Sequence, residues 1–110
     1  MSASERIRDL NDAFRTAGPT FVGGWNITPS IEAFGPIAIA AAIAAVRAFD
    51  QFTPDNDPYE EHDFGSFELS GHKAYWKIDA YDLDFKFGSP DPSDPDVTQR
   101  VMTILLASEY

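Results

Sequence analysis

The chain has no cysteine, which removes disulfide frameworks, thiolate nucleophiles and cysteine-ligated zinc sites from consideration. Cationic residues are scarce, eight lysines and arginines against eighteen acids, for a net charge of −10 that argues against direct nucleic-acid binding and against anionic membranes. No apolar run reaches the roughly 20 residues that a bilayer span needs; the longest, Phe34 to Val46, is mostly Ala and Ile. The N-terminal MSASERIRDLNDAF carries charges where an export signal needs an apolar core, so a cytoplasmic location is expected. Gly23-Gly24 lacks the further glycines and the lysine of a phosphate loop.

What is present is unevenly spread. Thirteen of the acids and only three lysines (Lys73, Lys77, Lys86) fall between Asp50 and Asp96, so this stretch carries the whole net charge while both flanks are neutral. The same stretch holds Phe52, Tyr59, Phe64, Phe67, Tyr75, Trp76, Tyr81, Phe85 and Phe87, far more apolar surface than a disordered acidic tail contains. At 110 residues the chain suits a single domain, 1–110, with one core.

Ser4 is placed to cap a first helix, with Ile7, Leu10 and Phe14 on one face and Gly18-Pro19 ending it. Phe21, Val22, Trp25 and Ile27 around the glycine pair predict a short strand interrupted by a bulge or turn. Pro36 opens a helix from Ile37 to Phe52, with Ile39, Ile43, Val46 and Phe49 as its stripe; alanines around nearly its whole circumference predict the most deeply packed helix. DFGSFEL and HKAYWKIDAYD read as two strands joined by a tight turn at Ser70-Gly71. Ala74, Trp76, Ile78 and Ala80 then point to the core, and Lys73, Tyr75, Lys77, Asp79 and Tyr81 to a wet, aromatic face. A third strand, Leu83 to Phe87, is expected to turn Leu83, Phe85 and Phe87 inward. Asp94 and Pro95 predict a final helix with Val97, Val101, Ile104, Leu105 and Tyr110 on its inner stripe. The expected fold is α+β, two layers, with a small antiparallel sheet of three to four strands against about three helices.

The densest chemical cluster is DNDPYEEHDFG, residues 55–65. Pro58 breaks the ligand spacing of an EF-hand, and a one-histidine carboxylate site for zinc or manganese would lack a second nearby histidine, so turn formation and capping are the stronger reading. His62, between Glu61 and Asp63, has no nucleophile with an orienting partner beside it in sequence. His72 reads as an exposed turn residue.

FTPDNDPYEEHDFGSFE, WKIDAYD, GSPDPSDP and RVMTILLASEY together resemble a family of small bacterial proteins, the domain of unknown function DUF3768, over roughly residues 6–110. The resemblance implies a bacterial, alphaproteobacterial or mobile-element origin and carries no established activity.

Charge placement and implied origin lead to one expectation: a non-enzymatic acidic inhibitor that imitates the phosphates of DNA on a basic, nucleic-acid-binding defence complex such as a restriction or CRISPR system. The contact residues would be Asp55, Asp57, Glu60, Glu61, Asp63, Asp79, Asp82, Asp84, Asp91 and Asp94, with Tyr59, Tyr75 and Tyr81 as rigid anchors. No cofactor is called for, and homodimerisation is left open. The rival readings are an acidic interaction domain with an ordinary basic partner, and a small metal-dependent enzyme centred on Glu61, His62 and Asp63.

Overall fold

The computed structural model describes residues 1–20 and 24–110. Phe21, Val22 and Gly23, where the sequence predicts the start of a strand and its bulge or turn, lie outside the described residues.

Helix α1 spans Ala3–Ala17. Its cap is Ser2 rather than Ser4: the Ser2 hydroxyl accepts from Glu5 N–H at 3.1 Å while the Glu5 carboxylate accepts from Ser2 N–H at 3.2 Å, a reciprocal box that needs the acid three residues on. Strand β1 is Trp25–Ile27, and a single-turn helix α2 follows at Pro29–Glu32. Helix α3 spans Pro36–Ala48, opened by Pro36 as expected. It supplies two fully buried residues to the core, but it is not buried all round. Only Ala42 and Val46 are fully buried, and Ile37, Ala40, Ala41, Ala44 and Ala48 face outward, because the layer beneath contacts one side of the helix and alanine tolerates the other.

Strands β2 (Phe64–Leu69) and β3 (His72–Tyr81) form the expected hairpin. Ser70 and Gly71 both have positive φ, 50° and 81°, the two-residue turn whose twist matches that of the flanking strands. Leu83–Phe87 is not a strand: it is a tight turn whose three apolar side chains are exposed. The final helix is also corrected. After one 3₁₀ turn at Pro95–Val97, capped by Asp94 as the sequence predicts, residues Gln99–Leu106 form strand β4.

β4 lies inside the sheet, in the order β1-β4-β3-β2, antiparallel to β3 and parallel to β1. The sheet is therefore mixed rather than wholly antiparallel, and the fold is α+β. The three helices cover one face, where Trp76, Met102, Ile104, Ile31, Ala42 and Val46 form the core with Leu69, Ala74 and Ile78. On the opposite face Tyr75 packs against Phe64 and Tyr110, ring centroids 5.0 and 5.4 Å away, and Lys77 pairs with Asp79 at 3.1 Å.

Candidate functional site

Strand directions decide where the charge goes. Residues 53–63 lead into the first residue of β2, and Asp63 C=O accepts from Ile78 N–H at 2.9 Å near the far end of β3. Residues 82–98 leave that same end of β3 and return into β4, whose Gln99 pairs with Tyr81. Both acidic loops therefore leave from one end of the sheet. Asp55, Asp57, Glu60, Glu61 and Asp63 lie in the first, Asp82, Asp84, Asp91, Asp94 and Asp96 in the second, and Asp79 close by on β3. Glu68 lies toward the opposite end, across from Lys73 in the hairpin.

The first loop is clamped onto α1. Asp57, only 4% exposed, accepts from the N–H groups of Glu61 and His62 at 3.1 Å each. His62 stands between two carboxylates, with Nδ1 2.8 Å from Asp12 Oδ1 and Nε2 3.5 Å from Asp57 Oδ2. Its ring stacks on Phe52, centroids 3.6 Å apart and 3° from parallel. Glu60 and His62 adopt positive φ, 57° and 54°, a strained backbone that the surrounding bonds hold in place. One residue along, Asn11 Nδ2 donates to Glu61 C=O at 2.9 Å, and Arg100 Nε donates to Asn11 Oδ1 at 2.8 Å.

Buried Arg15 completes the clamp. It donates to the last carbonyls of α3, Val46 and Arg47, at 3.0 Å each, and to Asp12 at 3.2 Å. Its guanidinium lies 5.5 Å from the ring centres of both Phe52 and Trp76. An opening of about 500 Å³ beside this assembly is lined by Arg8, Asp12, Phe52, Asp57, Glu60 and His62. Among the described residues, no three histidine or carboxylate groups are arranged to hold a metal.

Residues 27–109 match the model of DUF3768, described as a protein of unknown function. The chain belongs to the DUF3768 family. No curated protein and no solved structure matches it. The DUF3768 segment takes in the whole four-stranded sheet but for the first two residues of β1, together with α2, α3 and both acidic loops, and it leaves out α1. The clamp therefore joins α1 to DUF3768 residues: Asn11, Asp12 and Arg15 reach Glu61, His62, Val46, Arg47 and Arg100. No helix among the described residues is long and apolar enough to cross a membrane.

Within DUF3768 the expected contact residues divide sharply. Asp57 is internal. Asp82 accepts from Asp84 and Lys86 N–H, Asp91 from Ser93 N–H and hydroxyl, and Asp94 from Asp96 N–H, so these three hold turns and a cap. Asp79 is paired with Lys77. Asp55, Glu60, Glu61 and Asp84 make no hydrogen bond or ion pair through their carboxylates among the described residues, and Tyr59 beside them is 76% exposed. Tyr81 reaches this end, its ring 6.2 Å from Phe85, whereas Tyr75 sits mid-sheet against Phe64 and Tyr110. Sequence reasoning missed Asn11, Asp12, Arg15 and Arg100. The available signal was polar Asn11 and Arg15, one turn apart and alongside the Leu10–Phe14 stripe.

Burial raises Glu61 above the ordinary carboxylate pKa, with repulsion from Asp63 and Asp57 adding to it. Asp63 is likewise raised, first by burial and then by Asp57 and Asp79, against the downward pull of its own N–H and of His62. The folded chain then holds the Asp63 proton more tightly than the unfolded chain does, so stability falls as pH rises from the ordinary value of 3.8 through the raised folded value. Asp63→Asn removes that charge and keeps the shape. At neutral pH the variant is expected to be at least as stable as the parent, with the difference closing as pH falls through that window in chemical denaturation at a series of pH values. A parent that is more stable than the variant at neutral pH would contradict this account.

Proposed function

We propose that this DUF3768 protein is a non-enzymatic acidic docking protein that works in the cytoplasm by occupying the nucleic-acid-binding surface of a basic protein or complex, its carboxylates standing in for phosphates. A restriction or CRISPR complex is the target class that the charge and the implied mobile-element origin favour. The observation that carries the reading is the departure of both acidic loops from one end of the sheet. DNA carries about one charge per 1.7 Å of duplex axis, so an imitator needs carboxylates on a stiff support. Capped turns and the α1 clamp supply stiffness here.

The test is DNA cleavage by a purified restriction endonuclease and by a guide-loaded CRISPR nuclease, with the protein added across a salt series. Inhibition is expected, falling steeply as screening shortens to about 8 Å at physiological salt. Reversing Asp55, Glu60, Asp84 and Asp96 to lysine should abolish it while leaving the melting temperature near that of the parent, because these side chains are exposed. Asp57 is left alone because it is internal. Inhibition that survives the reversal, or none against any nucleic-acid enzyme, would sink the mimicry reading.

A second reading, docking to a basic protein with no nucleic-acid role, is favoured by one observation: Asp57, Asp82, Asp91 and Asp94 hold the protein's own backbone, which thins the array left for mimicry. Such a partner would not be displaced by added DNA. An enzyme centred on Glu61, His62 and Asp63 has less support, since both His62 nitrogens face carboxylates; a chelator-sensitive melting temperature would revive it.

A further inference from the structure

The turn after β3 exposes what a folded chain ordinarily hides. Leu83, Phe85 and Phe87 are 53%, 57% and 74% exposed, three large apolar side chains within five residues. The turn that carries them is well fastened. Asp82 Oδ1 accepts from Asp84 N–H at 3.2 Å and Lys86 N–H at 2.9 Å, Asp82 N–H donates to Phe87 C=O at 2.9 Å, and Phe85 N–H donates to Asp82 C=O at 3.1 Å. Gly88 then bridges to Tyr81, and Ser89 N–H donates to Ala80 C=O at 3.0 Å. Phe85 itself sits at φ 58°, a conformation that suits glycine or asparagine and is costly for an aromatic residue. The Tyr81 ring lies 6.2 Å away, yet more than half of the Phe85 side chain stays in solvent, which is little burial to set against that conformation.

Its surroundings are acidic. Asp82 and Asp84 belong to the same turn, with Lys86 as its one counter-charge. The adjoining loop with Asp91, Asp94 and Asp96 is tied to it through Ser89 and Thr98, whose hydroxyl oxygens lie 2.7 Å apart, while Thr98 also donates toward the carbonyls of Asp91 and Asp94. Phe85 lines the same cavity as Pro95 and Thr98, which sets the two loops side by side.

Resting on the docking reading above, we propose that Leu83, Phe85 and Phe87 are the apolar anchor of the acidic end, and that the partner is a protein offering an apolar socket rimmed by lysine and arginine. Charge selects this occupant. Anionic lipid and a second copy of a chain with net charge −10 are both repelled by the surrounding carboxylates, whereas a basic rim is attracted and the aromatic side chains supply desolvated contact at its centre.

The test uses the full chain, immobilised, to select binders from a phage-displayed random peptide library at physiological salt, with the recovered peptides then measured against variants. Enriched peptides are expected to combine Arg or Lys with Trp, Phe or Leu. They should bind the Phe85→Gly, Phe87→Ser double variant about tenfold or more weakly, the loss that truncating an aromatic anchor gives. Phe85→Gly relaxes the positive φ, so a melting temperature above that of the parent is expected together with the loss of binding. Phe87→Ser alone repeats the comparison without touching the strained residue. Basic peptides that bind parent and variants equally would overturn the anchor and leave acidic docking standing. Peptides without basic residues would overturn the docking reading beneath it, and a library that yields no binder overturns both.

Discussion

Gly65→Ala is expected to lower stability by about 3 kcal/mol, the upper part of the range for forcing an extra methyl into a packed core. Gly65 lies on β2 opposite Trp76 on β3, and a methyl group there would point directly into the Trp76 indole and come within 2.7 Å of Phe49 Cζ. Trp76, the nearer neighbour, has little room to move. Trp76 is fully buried, and the Phe49 and Phe52 rings meet it edge-on with centroids 5.4 and 6.2 Å away. Relief would have to come from the β2–β3 register or from Phe52, which carries His62 on its other face. Urea denaturation reads the loss directly, and Gly88→Ala is the control. A methyl at Gly88 would approach nothing closer than Ala80 C=O at 4.0 Å, so its midpoint should stay near that of the parent. Equal midpoints for Gly65→Ala and the parent would mean that Trp76 does not pack as described. A loss of this size is a large fraction of the 5–15 kcal/mol that holds a small domain together.

The hairpin was legible because its information is local: Ser70-Gly71 sits between two alternating runs, and period-two burial follows. β4 was not. Val97, Val101, Ile104 and Leu105 suit a helical stripe, while Met102 and Ile104 suit one face of a strand equally well. Pairing with β3 on one side and β1 on the other decides the matter, and those contacts come from residues far away in the chain. The Asp94-Pro95 start signal was correct and lasted one turn, because Thr98 closes back onto Asp91 and Asp94. Leu83–Phe87 alternates as a strand does, yet Asp82 captures two N–H groups ahead of it and closes a turn instead.

The candidate site was legible in composition and hidden in arrangement. That the acids gather at one end follows from the direction of β4, so the mistaken helix also concealed why residues 53–63 and 82–98 belong together. The DNDPYEEHDFG run revealed its turn chemistry but not its purpose, because His62 meets Asp12 from 50 residues away. An aspartate that binds its own loop and one that faces solvent are identical as letters. Only the bonds at Asp57 separate it from Asp55.

That separation predicts a second large effect. Asp57→Ala is expected to destabilise the protein by about 3 kcal/mol, because it leaves the part-buried Glu61 and His62 N–H groups without their acceptor and takes a carboxylate from beside His62 Nε2. Asp57→Asn keeps one acceptor oxygen for those N–H groups and should lose about half as much. His62→Ala made on the Asp57→Ala background should cost less than His62→Ala alone, since the two share one clamp; thermal or urea unfolding of the four-protein cycle measures the coupling. Additive losses would mean that loop and helix are held independently. The functional consequence runs through geometry. Asp55, Tyr59 and Glu60 are presented by the loop that Asp57 fastens, so basic peptides selected on the parent should bind Asp57→Ala more weakly although the Asp57 carboxylate is itself internal. Undiminished binding by a folded Asp57→Ala protein would move the contact surface away from residues 53–63 and onto the second loop alone.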